Sequence, residues 1–63
     1  MTPQQPLSVP GLEAVYDQLA AAIDQAGPDK AELFLVKLAL LNANALGDAD
    51  VFSMHVHSAL RDL

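Results

Sequence analysis

The stretch Leu33–Leu46, LFLVKLALLNANAL, decides how this chain folds. It contains neither glycine nor proline, and Gly47 follows it directly. Leucine and alanine dominate it, and both favour helix. At about 100° per residue, Leu33, Val36 and Leu40 point one way, while Phe34, Leu38, Leu41 and Ala45 point another. Leu35, Ala39 and Leu46 fill much of the remainder. A helix that is apolar all round belongs inside a structure or in a membrane. Lys37, Asn42 and Asn44 interrupt the stretch, and it falls short of the roughly 20 apolar residues a membrane span takes. The helix is therefore expected to lie between other helices.

The flanking sequence supplies those helices. Upstream, Leu12, Val15, Tyr16, Leu19, Ala22, Ile23 and Ala26 recur at helical spacing and form a single stripe. Glu13, Asp17, Gln18, Asp24 and Gln25 lie largely off it. A first helix is expected over about 11–26. Pro10 suits its first turn, and Glu13 suits the positive end of its dipole. Gly27 can take a left-handed cap, and Pro28 stops the helix. In Asp29-Lys30-Ala31-Glu32 the spacing approaches a capping box, with Asp29 as N-cap of a second helix over 30–46. Asp48 and Asp50 are alternative N-caps for a third helix over about 50–62. There Phe52, Val56, Ala59, Leu60 and Leu63 form a stripe with His55 at its margin.

Residues 1–10 hold three prolines, Pro3, Pro6 and Pro10. Proline removes a backbone donor and biases the preceding residue away from helix. An extended or disordered arm is expected here, followed by one all-α domain over 11–63. This domain reads as a small three-helix bundle, or a helical hairpin plus a third helix, with links short enough to make sequential neighbours antiparallel or steeply angled.

Composition limits the function classes. The chain of 63 residues has no cysteine, which removes disulfides and thiolate metal sites as supports for a small core. A net charge of −5 repels a phosphate backbone and an anionic membrane surface alike, so neither nucleic acid nor membrane is an expected partner. The N-terminal segment Met1–Pro6 lacks the basic and apolar regions of a signal peptide, and a cytoplasmic location is expected.

Reactive constellations are sparse. His55 and His57 stand two apart; on a helix they diverge by about 200° and cannot share one metal ion. Helical zinc pairs take a spacing of four. Ser53 lies in Phe52-Ser53-Met54 without a nucleophile motif and without the Asp-Ser-Leu string that carries phosphopantetheine in acyl-carrier domains. Asp48-Ala49-Asp50 resembles the start of a calcium loop, but Ser53 stands where that loop takes glycine and Ala59 where it takes glutamate. No catalytic residue, metal or cofactor is expected.

What remains is the middle helix. Two amphipathic neighbours cover about a side and a half of it, and large uncovered apolar patches mark interaction sites. Phe34, Leu38 and Leu41 are the expected anchors for a partner. Asn42 and Asn44 are candidates for fixing register, as single buried polar residues do in coiled coils. Lys37 and Asn44, seven apart beside Leu33 and Leu40, alternatively mark a solvated face. The expected partner is a larger enzyme subunit or a second copy of the chain, packed as a homodimeric bundle.

The string Leu38-Ala39-Leu40-Leu41-Asn42-Ala43-Asn44-Ala45-Leu46-Gly47-Asp48 resembles the central signature of a bacterial family of short proteins, a domain of unknown function. In that family an apolar helix ends in Asn-x-aliphatic-Gly-Asp and one more helix follows. Tyr16 in an amphipathic helix fits the same pattern, and the resemblance covers about residues 12–60. Where the family places His after Asn, this chain has Ala45. Members are often encoded beside FAD-dependent monooxygenases, so the resemblance implies a small accessory subunit of an oxidoreductase.

Overall fold

A computed structural model describes residues 6–61 and 63. Among these residues the chain is all-α, in the order α1 (Val9–Ala26), α2 (Ala31–Leu46) and α3 (Ala49–Leu60), with no strand. It divides into two compact units, Met1–Glu32 and Leu33–Leu63.

In the first unit, α1 begins two residues before the expected Gly11. Ser8 is extended, and its Oγ accepts a hydrogen bond from the Gly11 N–H at 3.1 Å. Its carbonyl accepts from the Leu12 N–H at 2.9 Å. Such a cap is worth about 1 kcal/mol. Pro10 therefore sits inside the helix rather than in an arm, because the N–H it lacks belongs to the first turn and would have no helical partner. Residues 6–8 precede the helix without regular structure. The rest of the expected arm, 1–5, lies outside the described residues.

The end of α1 follows the sequence with one refinement. The Gly27 N–H donates to the Ile23 carbonyl at 3.1 Å, which satisfies one of the terminal carbonyls. Gly27 has φ 82° and ψ 161°, not the left-handed helical values expected of a cap. Pro28 accounts for the difference, since a following proline drives ψ into the extended range. Positive φ combined with extended ψ is a conformation essentially reserved for glycine.

The expected Asp29 cap does not form. Residues 28–30 make a turn in which the Lys30 N–H donates to the Gly27 carbonyl at 3.1 Å, and α2 starts at Ala31. That puts Lys30, not Asp29, at the flanking position. Among the described residues side-chain caps occur at Ser8 and Asp48 only. Glu32 keeps its place in the first turn of α2, where its charge suits the helix dipole.

In the second unit, Gly47 at φ 73° ends α2, and its N–H donates to the Ala43 carbonyl at 3.0 Å. Asp48 then caps α3. One carboxylate oxygen, Oδ1, accepts from the Asp50 N–H at 2.9 Å and the Val51 N–H at 3.0 Å. Of the two caps the sequence allows, the structure uses the first. The helix closes at Leu60, with the Arg61 N–H on the Ser58 carbonyl at 3.3 Å. Asp62, the expected last residue of this helix, lies outside the described residues.

No described residue is fully buried. In the first unit the half-buried positions on α1 include Leu19, Ala22, Ile23 and Ala26, the C-terminal half of the expected stripe. Its N-terminal half, Leu12, Val15 and Tyr16, is exposed. In the second unit Leu46, Val51 and Phe52 are half-buried around the Gly47-Asp48 link. The expected α3 stripe is covered only at Phe52. Val56, Leu60 and Leu63 are exposed, as is Met54.

Candidate interaction surface

Helix α2 exposes most of its large aliphatic side chains on one side, although Leu35, nearly opposite Leu33, is also 39% exposed. Phe34, Leu38, Ala39, Ala43 and Leu46 are half-buried. Leu33, Val36, Leu40 and Leu41 are exposed at 56, 49, 64 and 68%. Lys37 and Asn44 are exposed among them. At 100° per residue these six positions fall within an arc of about 140° on one side of the helix. Four large aliphatic side chains thus stand in water beside one cation and one amide.

The expected apolar anchors differ in exposure. Phe34 and Leu38 belong to the half-buried side, and of the three apolar anchors only Leu41 is open. The exposed centre passes instead through Leu33, Val36 and Leu40. Asn42 and Asn44 are both exposed and project from nearly opposite sides of the helix. Only Asn44 shares the open arc. The one sequence signal for this face was the pair Lys37 and Asn44, whose seven-residue spacing marks the solvated side.

On α1, Leu12, Glu13, Tyr16 and Asp17 line a shallow surface hollow. Tyr16 is 71% exposed although it lies on the apolar stripe. The stripe was legible in the sequence, but its division into a covered C-terminal half and an open N-terminal half was not. The open half carries two carboxylates at its edge, Glu13 and Asp17.

The remaining chemistry-bearing residues stay apart. His55, His57 and Ser53 are exposed on α3. No group of three or more His, Asp or Glu residues able to hold a metal ion occurs among the described residues. Asp48 spends its Oδ1 on two backbone N–H groups, which accounts for the Asp48-Ala49-Asp50 string as a helix cap. No described helix is long and apolar enough to cross a membrane.

No family model, no curated protein and no solved structure matches this chain.

Proposed function

We propose that the chain is a non-catalytic helical interaction protein, a small accessory subunit that packs on and stabilises a larger enzyme. One observation carries this reading. Ser8 caps α1, Asp48 caps α3 and Gly47 ends α2, yet no described residue is fully buried and large apolar side chains stand exposed on all three helices. Folding stability comes chiefly from apolar burial, at about 25 cal/mol per Å². A chain that leaves Leu12, Tyr16, Leu33, Leu40, Leu41 and Leu60 in water has that term still to collect, and another polypeptide supplies it.

The open half of the α1 stripe is the surface we assign to the enzyme. Its apolar centre, Leu12, Val15 and Tyr16, is edged by Glu13 and Asp17, so the complementary patch is apolar with Lys or Arg at its rim. Tyrosine in the centre of such a patch is a frequent source of binding energy. The resemblance at residues 38–48 points to a flavin-dependent oxidoreductase as that enzyme.

The test is purification of the tagged chain from its native cells. The reading predicts one larger protein at fixed stoichiometry, carrying a flavin absorbance, and its loss with Tyr16→Ala at unchanged helicity. Recovery of the chain without any larger protein, or equal recovery with Tyr16→Ala, contradicts it.

A further inference from the structure

The exposed face of α2 is a separate surface, and its charge pattern selects what covers it. Leu33, Val36 and Leu40, followed by the half-buried Ala43 at the edge of the face, stand at spacings of three, four and three. These are the a, d, a and d positions of a heptad seam. Glu32 then precedes the first a position and Lys37 follows the first d position, at the flanking g and e places that set partner and orientation in coiled coils. Both are exposed.

When two such helices pair in parallel and in register, each g residue faces the partner's e residue five positions further on. Glu32 of each copy then meets Lys37 of the other, twice by symmetry. The next such pair is Ala39 with Asn44, which is neutral. An antiparallel pairing does not achieve this. Aligned to bring Glu32 against Lys37, it centres between Phe34 and Leu35 and sets Leu40 opposite Asp29. Aligned to bury Leu33, Val36 and Leu40 of both copies, it sets Glu32 opposite Asn44 and leaves Lys37 beside Ala39. Only the parallel register buries the three aliphatic residues and pairs the two charges together.

We infer that the α2 face binds a second copy of this chain, parallel and in register, through Leu33, Val36 and Leu40, with Glu32 and Lys37 exchanged between copies. Lys37 is one of only three basic side chains in a chain of net charge −5, and in this arrangement it offsets a partner carboxylate at the seam. The accessory subunit then acts as a symmetric pair that presents its α1 surface twice. Such symmetric two-fold self-pairing is the commonest form of homo-oligomer.

Solution mass, measured by sedimentation, tests the inference together with two sets of variants. The wild-type chain is expected at twice its monomer mass. Lys37→Glu alone places two carboxylates at each charge pair and is expected to weaken the dimer roughly tenfold. Adding Glu32→Lys restores the dimer, which a residue acting only within its own helix would not do. Leu33→Cys in this cysteine-free chain is expected to form a disulfide between copies on mild oxidation. The parallel register brings the two Leu33 positions within disulfide reach, whereas the antiparallel one separates them by about 15 Å along the axis. A monomer at all concentrations, a dimer indifferent to charge reversal, or a Leu33→Cys dimer that does not cross-link overturns the inference. Co-purification of a larger enzyme is read independently, so loss of the dimer with the enzyme still captured removes this inference and leaves the proposed function standing.

Discussion

Helices α1 and α2 are of similar length, 18 and 16 residues, and solve the problem of being a helix in different ways. α1 has a side-chain cap at Ser8, a glycine stop at Gly27 and one apolar stripe backed by polar residues. α2 has no side-chain cap among the described residues, and its large aliphatic residues look in nearly every direction. The first is specified locally, by bonds at its ends and by one face. The second is closed by Gly47 in the same way but has no single apolar face, and four of its large aliphatic residues stand exposed on one side. A short chain can make its helices from local signals and still depend on another molecule to bury them.

Six substitutions, taken in three pairs, sharpen this contrast, beginning with the largest effect. Phe34→Ala removes a half-buried aromatic from the second unit and is expected to lower stability by about 2 kcal/mol, below the 3–5 of a fully buried phenylalanine. Leu40→Ala on the open arc is expected to leave the stability of the undimerised chain within about 0.5 kcal/mol of wild type while weakening association. Urea melts followed by circular dichroism, read beside solution mass, separate the two. Equal effects on both readouts would mean that α2 has no distinct covered and open sides.

Gly27→Ala comes next. Its positive φ and extended ψ leave room for a Cβ but not for an ordinary backbone, and the cost is expected at about 1–3 kcal/mol. Gly47→Ala, with no proline after it, is expected to cost about 1 kcal/mol. Reversal of that order in thermal melts would undo the account of Pro28 as the cause of the Gly27 geometry.

The caps give the smallest effects. Asp48→Ala, which takes an acceptor from two N–H groups, is expected to cost about 1 kcal/mol. Asp29→Ala is expected within about 0.5 kcal/mol of wild type, because no helix uses it as a cap. A loss at Asp29 matching that at Asp48 would restore the capping box that the sequence suggests and the structure replaces with a turn.

Much of the fold was legible in residue order. The glycines at 27 and 47, the proline at 28 and the stripe from Leu12 to Ala26 placed three helices close to where they lie. Helix α1 starts before the point that the prolines of residues 1–10 suggest, because Pro10 fits the first helical turn and Ser8 caps it. The start of α2 shifted because a backbone turn, Gly27 to Lys30, took precedence over a side-chain cap. The exposed face was the harder problem. In a stripe, polarity announces which side is wet; in Leu33–Leu46 nearly every direction is apolar, so Phe34 and Leu38 looked as available as Leu33 and Leu40. Only Lys37 and Asn44 distinguish the sides. The open half of the α1 stripe was likewise hidden, because periodicity locates a face and does not say how far along it cover extends.

A dilution series of the purified chain asks whether it completes its fold on another polypeptide, as proposed. Solution mass and helicity are recorded on the same purified sample from high to low concentration. Both are expected to fall together, as a dimer dissociates and the aliphatic face of α2 loses its cover. A chain that stays fully helical as a monomer throughout would contradict the proposal.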